Sequence, residues 1–184
     1  RTTREDFKEV IRTGKLPNGK MTPFRQLPVM EVNGQIIGQT GAIARYCGKI
    51  SGLYPKEDNL LAAKIDQVID AATDITEFVS PTVREKNQEI KKLLRKNLVE
   101  EKLPLWFGFL EDILQQNNSS NCFVGEEITI ADLAIWRLLG WLTQGKLDHI
   151  PTTILKPFKN LCNHFKIVDS HSKVSEWMKL KYGK

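Results

Sequence analysis

The sequence predicts a chain of two parts, a short mixed α/β part over residues 1–56 and an all-helical part over residues 57–184. Asn33-Gly34 stands between two apolar runs, and this pair indicates a β-hairpin because both residues accept positive φ. From Glu57 onward strand signals stop, and apolar residues recur at the spacing of one helix face. A short proline-containing linker at 53–56 therefore marks the expected boundary between the two parts.

The composition is that of a folded globular protein and argues against several classes of partner. Hydrophobic residues make up 41% and charged residues 27% of the 184 residues, and no apolar run reaches the roughly 20 residues of a membrane-spanning helix. The net charge of +5 comes without a nucleic-acid motif and without aromatic residues interleaved among the basic ones. We therefore expect neither a membrane nor a nucleic acid as partner. Three scattered cysteines, with no metal-ligand spacing to the histidines, favour a reducing cytoplasmic compartment and no metal site.

The stretch over residues 24–46 carries the strongest indication of a binding site. Pro28 stands at the start of a β-prone run, where proline forfeits a ladder hydrogen bond, and a cis peptide that shapes a ligand site would explain its presence. Gln39 and Thr40 follow the hairpin and place an amide and a hydroxyl beside the exposed N–H groups of a helix start. Such a place suits a carboxylate, so we expect a small anionic peptide as ligand.

Helical periodicity organises the second part of the chain. Apolar residues over 61–79 follow a 4-3-4-3-4 spacing that predicts one buried helix face. Pro81 is expected to end or kink this helix, because proline disfavours helical geometry in the residue before it. A second long helical segment is expected from about residue 86 to 116, with a bend at Pro104.

A third helix has a clear start. Thr129 provides a hydroxyl at the N-cap and Asp132 a carboxylate at the third helical position, so that each accepts an orphan backbone N–H. The helix predicted over 130–143 is nearly all apolar, and we expect it at the middle of the helical part. Shorter helices are expected near 157–164 and 172–181.

In combination these features resemble the cytosolic glutathione transferases, and most closely their sigma-like branch. The motifs that carry the resemblance are Gln26-Leu27-Pro28-Val29, the hairpin ending at Gln39-Thr40, the run from Ala42 to Tyr46, and Gly125 with Thr129 to Asp132. The resemblance covers nearly the whole chain from about Asp6. It implies a partial, thioredoxin-like glutathione-binding domain over residues 1–56 and an all-helical domain over residues 57–184 that lines the pocket for a hydrophobic electrophile.

The resemblance also implies which residues hold glutathione, the co-substrate. Leu27 would offer its backbone N–H and C=O to the cysteinyl part of glutathione, beside Pro28 as the family's cis-proline. Gln39 and Thr40 match the polar pair that holds the γ-glutamyl carboxylate. Gln26 matches a neighbouring polar contact.

Three further contacts are implied by the same resemblance. Phe7 stands where the sigma-like branch usually has tryptophan, and Asp74 looks like the acidic residue that reaches across a homodimer interface to the α-amino group of the ligand. Asp66, Asp70 and Asp74 also form a row on one helix face, a pattern that is usually just solvated. Arg12 is the candidate for the glycyl carboxylate, although a solvated loop charge is an alternative reading of it.

Two departures from the family pattern affect the expected chemistry. The family's first strand carries a tyrosine that activates the glutathione thiol, and neither that strand nor the following helix is in this sequence, so no catalytic residue is assigned. We expect them ahead of Arg1, because a sheet without its first strand would expose a raw edge. The stretch between Phe7 and Gln26 is also several residues longer than the corresponding stretch usual in the family.

The expected function is that of a detoxifying transferase, which conjugates the glutathione thiol to electrophilic small molecules. Two alternatives stay open. One is a glutathione-dependent isomerase of the prostaglandin type, which would use the same thiolate. The other is a non-catalytic relative with a binding or structural role.

Overall fold

The computed structural model describes residues 3–117 and 121–183, and the chain separates into two compact units, Arg1–Lys56 and Glu57–Lys184. The first unit contains the following elements in chain order: α1 (Arg4–Thr13), β1 (Val29–Val32), β2 (Gln35–Gly38) and α2 (Thr40–Ser51). In the described residues of the second unit the regular elements are all helical: α3 (Asn59–Arg84), α4 (Gln88–Asn97), a π-helical turn (Leu98–Lys102), α5 (Leu103–Gln116), α6 (Ile130–Thr143), α7 (Lys159–Ser170) and α8 (Ser172–Tyr182). Among the described residues, no helix has both the length and the apolar composition needed to cross a membrane.

The hairpin of the first unit forms where the sequence predicts it. β1 and β2 pair antiparallel, from Val29 opposite Gly38 to Val32 opposite Gln35. Asn33 and Gly34 make the turn with φ of 49° and 80°. These positive angles match the twist of the two strands, which is why Asn-Gly is favoured at this position.

A closed loop connects α1 to the segment before β1. Gly14 ends α1 with φ of 77°, in the left-handed region that glycine adopts without steric cost. The backbone N–H of Thr22 then donates to the C=O of Gly14 at 2.7 Å, so the chain returns to the end of α1 eight residues later. The ammonium group of Lys20 bonds the carboxylate of Glu31 in β1. We call residues 14–22 the closed loop.

Pro81 does not end α3, so the expected end at this residue was wrong, while a kink there stays a prediction. The helix continues for three residues beyond the proline, to Arg84. Proline lacks the N–H that would bond the C=O one turn back, and its ring crowds that carbonyl. Val79 and Thr82, on either side of the proline, are both buried, so tertiary packing holds the helix through this position. The helix therefore keeps its buried face, which consists of Ile65, Val68, Ile69, Ala72, Ile75, Val79 and Thr82.

The second helical segment is distorted immediately before Pro104. Between α4 and α5 the chain forms the π-helical turn, and the N–H of Leu103 donates to the C=O of Leu98. A π-turn is wider than an α-turn, so the proline ring avoids the carbonyl group of the preceding turn. Helical geometry thus runs from Gln88 to Gln116 in spite of the proline.

The core of the second unit is built around α6. Thr129 and Asp132 form the predicted capping box at its start. The helix packs on α3 and α7. Its buried side chains are those of Ile130, Ala131, Asp132, Ile135, Trp136, Leu138, Leu139 and Leu142.

Glu111 of α5 caps α7 from another element, and we predict that Glu111→Ala will lower the free energy of unfolding by about 1 kcal/mol. The two carboxylate oxygens of Glu111 accept the N–H groups of Asn160 and Leu161, each at 2.8 Å. Phe158 at the N-cap offers no side-chain cap of its own. Urea denaturation measures the loss, and Asp112→Ala, at an exposed position of the same helix, is the matched control. Equal stability of the two variants would contradict the capping role.

Candidate ligand-binding site at the end of the hairpin

The register of the hairpin brings together the two segments that the sequence analysis singles out. Val29 lies opposite Gly38, so the residues just before β1 and just after β2 lie at the same end of the sheet. The first pair is Leu27-Pro28 and the second is Gln39-Thr40. The Leu27–Pro28 peptide bond is cis, as expected.

The start of α2 provides donors for an anion at this end. Thr40 is the first helical residue, and Gln39 at the N-cap has φ of 71°. Within the described part of the chain, the side chain of Gln39 makes no capping hydrogen bond, and the first turn of α2 contains no acidic residue. The first N–H groups of a helix have no intrahelical acceptor, so they suit a carboxylate together with the exposed Thr40 hydroxyl.

The segment that leads into β1 covers one side of the same end. A β-carbon built on Gly38 would lie 3.4 Å from Cδ2 of Phe24 and 3.7 Å from Cδ of Pro23. Phe24 is 58% exposed despite this packing. An exposed aromatic side chain therefore lies beside Gly38, the residue before Gln39, while Gln26, also exposed, follows in the same segment.

The two candidates on α1 differ in how they are held. Phe7 is 46% exposed and is available for an apolar contact. Arg12 makes two hydrogen bonds to Glu9, from Nε at 3.1 Å and from Nη2 at 2.7 Å. These bonds raise the pKa of the Arg12 guanidinium above its usual value. Arg12 is thus already paired with a carboxylate of its own helix.

Asp74 belongs to the second unit. It lies at an exposed position in the middle of α3. Its expected contact is with glutathione bound to a neighbouring subunit.

Arg25 is a further cation in the segment before β1, and the sequence alone gave it no role. This residue has φ of 50°, and its side chain crosses the end of α1. A β-carbon built on Gly14 would lie 3.2 Å from Cγ and 3.7 Å from Nε of Arg25. The only signal available in the sequence was its place directly before Gln26-Leu27-Pro28, since the contact with Gly14 depends on the closed loop.

The family of the chain follows from comparison with known proteins. The family model described as "Glutathione S-transferase, C-terminal domain" matches residues 73–181, which is more than half of the chain. The chain belongs to the glutathione S-transferase family, and the resemblance found in the sequence is confirmed.

Two curated relatives illustrate the extent of the match. A glutathione S-transferase of Plasmodium yoelii yoelii is 36% identical over 122 residues, which cover 65% of this chain and 53% of the relative. A probable glutathione S-transferase of Caenorhabditis elegans is 32% identical over 160 residues, which cover 85% of this chain and 74% of the relative. The chain therefore spans about half the length of the first relative and about three quarters of the second.

Solved structures agree on the fold. Prostaglandin synthase D of Nilaparvata lugens matches with a TM-score of 0.80 at 25% identity, over 97% of this chain and 81% of that one. A monomeric glutathione S-transferase of the hookworm Necator americanus matches with a TM-score of 0.78 at 25% identity, over 98% of this chain and 82% of that one. The first unit is thus part of a thioredoxin-like domain, and the second is the all-helical domain of the family.

Proposed function

We propose that the protein is a glutathione transferase, which binds glutathione at the end of the hairpin and joins its sulfur to an electrophilic carbon of a hydrophobic small molecule. The observation that carries the proposal is the hairpin register, with Val29 opposite Gly38. It brings the backbone of Leu27 and the polar groups of Gln39 and Thr40 to one place. Membership of the glutathione S-transferase family supports the same ligand.

Two parts of the tripeptide have complementary groups at this end of the hairpin. The γ-glutamyl carboxylate accepts the first N–H groups of α2 and the Thr40 hydroxyl, with the Gln39 amide beside it. The cysteinyl backbone pairs with the N–H and C=O of Leu27 in a short strand-like contact. Gln26 adds a polar contact, and Phe7 an apolar one.

The chemical step requires a thiolate. The thiol loses its proton, the sulfur forms a thioether bond to the electrophilic carbon, and the leaving group departs or the adduct takes up a proton. A free thiol has a pKa of about 8.5 and is mostly protonated at neutral pH, so an activating group accelerates the step. The residues proposed above position the sulfur, and none of them is assigned the activating role.

We predict that Thr40→Ala and Gln39→Ala will each weaken glutathione binding about tenfold, because each removes a polar contact to a charged carboxylate. Both residues are exposed, so the thermal unfolding midpoint will change little. Isothermal titration calorimetry with glutathione measures the affinity. Thr153→Ala, at an exposed threonine of the second unit, is the control. Unchanged affinity in both site variants would refute the position of the γ-glutamyl carboxylate.

A second function is glutathione-dependent isomerisation of the prostaglandin type, which the likeness to prostaglandin synthase D of Nilaparvata lugens favours. Both functions begin with the same bound thiolate, but an isomerisation returns glutathione whereas conjugation consumes it. Measuring the glutathione remaining after complete turnover of substrate separates the two. A chain that binds glutathione without turning over either substrate would instead be the non-catalytic relative.

We also propose that the protein is a cytoplasmic homodimer, in which Asp74 of one subunit reaches the α-amino group of glutathione bound to the other. Family resemblance supports the dimer, although the neighbour from Necator americanus is described as monomeric. Multi-angle light scattering is expected to give twice the chain mass of 21.0 kDa.

A further inference from the structure

We infer that Asn33, in the turn of the hairpin, is a site of spontaneous deamidation, and that this modification disrupts the binding site described above. The reaction needs only water and the two residues of the turn, Asn33 and Gly34. It therefore depends on no ligand. Its effect on glutathione binding, in contrast, rests on the proposed function, so the modification and its effect on binding have separate tests.

The reaction is an attack by the backbone of the turn on a side chain of the same turn. The backbone nitrogen of Gly34 loses its proton and forms a bond to Cγ of Asn33, and the side-chain nitrogen of Asn33 leaves with that proton as ammonia. Water then opens the resulting succinimide ring. Opening at the side-chain carbonyl gives aspartate, and opening at the main-chain carbonyl gives isoaspartate. One water is consumed and one ammonia is released, with no oxidant or reductant.

Gly34 provides an unshielded nucleophile for this attack. It has no side chain, and, apart from its chain neighbours, a β-carbon built on it would meet no atom of the described residues within 4 Å. Asn33 and Gly34 are both exposed, so water reaches the turn. The ladder ends at Val32 opposite Gln35, and across the described ranges neither the Gly34 N–H nor the Asn33 side chain forms a hydrogen bond. No hydrogen bond therefore has to break before the ring closes.

The second Asn-Gly pair of the sequence, Asn18-Gly19, is restrained at both reacting groups. The N–H of Gly19 donates to the C=O of Leu16 at 2.8 Å, and Oδ1 of Asn18 accepts the N–H of Lys20 at 3.2 Å. Both bonds oppose ring closure, because the nitrogen must lose its proton and the amide must turn toward it. Asn18 and Gly19 are exposed like the hairpin turn, so hydrogen bonding, and not access to water, distinguishes the two pairs.

Isoaspartate at position 33 would disturb the register on which the proposed site depends. Its main chain runs through Cβ and Cγ, so the turn gains one methylene group. A two-residue turn sets the register of its strands through its own length and backbone angles. The alignment of Val29 with Gly38, which places Leu27 and Thr40 at one end of the sheet, would then be lost. Aspartate, the other product, leaves the main chain unchanged, and Asp-Gly suits the same turn.

Peptide mapping of the chain by mass spectrometry tests the modification. The folded protein is incubated in mildly alkaline buffer, and conversion of amide to carboxylate is followed at Asn33 and at Asn18. We expect conversion at Asn33 to be about fivefold faster, the ratio to which one net hydrogen bond corresponds. In concentrated urea, where both turns are unfolded, the two rates are expected to converge. A rate at Asn33 no higher than that at Asn18 in the folded protein would overturn the inference, as would an unchanged ratio in urea.

Calorimetry with glutathione tests the effect on binding. Ion exchange separates the modified protein, which carries an added negative charge, and the fraction with isoaspartate at position 33 is compared with fresh protein. We expect its affinity to be about tenfold lower. Asn33→Asp is the matched control, because it adds the same charge to an unaltered main chain, and it is expected to bind like the parent chain.

The outcomes of the binding experiment distinguish the inference from the proposed function. Full affinity of the isoaspartate form, or an equal loss in Asn33→Asp, would refute the role of the turn in holding the site. Fresh protein that does not bind glutathione would overturn the proposed function, whereas the rates at Asn33 and Asn18 would still decide whether the turn is a modification site.

Discussion

Replacing Asp132 by alanine is expected to lower the free energy of unfolding by about 3 kcal/mol, the largest effect predicted for a single substitution in this chain. Asp132 is fully buried at the start of α6. Its Oδ2 accepts the N–H and the hydroxyl of Thr129 at 2.7 Å and 2.9 Å, and its Oδ1 accepts the N–H of Phe123 at 2.9 Å. Alanine would leave the buried Phe123 N–H without an acceptor and α6 without half of its capping box.

The carboxylate of Asp132 also orders the segment that precedes α6. His164 of α7 is fully buried, with Nδ1 2.9 Å from the carbonyl oxygen of Asn121 and 3.7 Å from Oδ1 of Asp132. Its ring packs edge-on against the Phe123 ring, with the two ring centroids 4.7 Å apart. Loss of the carboxylate thus loosens a contact between α6, α7 and the chain before α6.

Guanidinium denaturation of Asp132→Ala measures the effect, with Asp58→Ala as the control. Asp58 caps α3 by accepting the N–H of Leu61 at 2.9 Å, but it is exposed, so its removal is expected to cost about 1 kcal/mol. The comparison measures the combined contribution of burial and of the bonds to Thr129 and Phe123, because Asp58 caps its helix from an exposed position. A loss for Asp132→Ala no greater than that for Asp58→Ala would show that the buried bonds contribute little.

Arg95→Met is expected to lower the free energy of unfolding by about 2 kcal/mol, because the substitution removes charged donors from a buried site. Arg95 is 3% exposed on α4. Its Nε donates to the Thr82 hydroxyl at 3.1 Å, and its Nη1 donates to the C=O of Asp148. Burial lowers the pKa of Arg95 below its usual value, while the charge of Asp148 opposes that shift. Methionine retains much of the stem but satisfies neither oxygen.

The control for Arg95 is Arg84→Met, at an exposed position of α3. Denaturant unfolding of both variants gives the difference in free energy of unfolding between a buried and an exposed arginine. Because Arg95 joins α3, α4 and the chain before α7, amide exchange near Thr82 and Asp148 is also expected to accelerate. Unchanged exchange at both places, with stability equal to that of Arg84→Met, would rule out the bridging role.

The features that the sequence predicted correctly depend on residues close together in the chain. Asn33-Gly34 sets two backbone angles, and that turn aligns Val29 with Gly38. Thr129 and Asp132 satisfy one another's backbone within a single turn. Local chemistry determines both, so hairpin, register and cap could be read from the residues alone.

The features that the sequence did not predict depend on distant partners or on position within a helix. Glu111 bonds the backbone of residues 160 and 161, and Arg95 bonds that of Asp148, pairings that no spacing reveals. The end expected at Pro81 is absent because Val79 and Thr82, on either side of the proline, are buried by tertiary packing, which the local pattern does not reveal. The place of the Arg25 side chain over Gly14 likewise depends on the closed loop.

The closed loop also offers a place to attach a label without disturbing the rest of the first unit. The Thr22 N–H donates to the Gly14 C=O at 2.7 Å and so joins the two ends of the loop. The residues between them therefore protrude from the path of the chain that connects α1 to β1. At its tip, Asn18 is exposed, and, apart from its chain neighbours, a β-carbon on Gly19 would meet no atom of the described residues within 4 Å. Closing a longer loop costs little extra entropy. A short epitope or fluorophore-bearing peptide inserted between Asn18 and Gly19 would interrupt the turn bonds at the tip, from the Gly19 N–H to the Leu16 C=O and from the Leu16 N–H to the Lys20 C=O. We expect the bond between Thr22 and Gly14 to keep the two ends of the loop together.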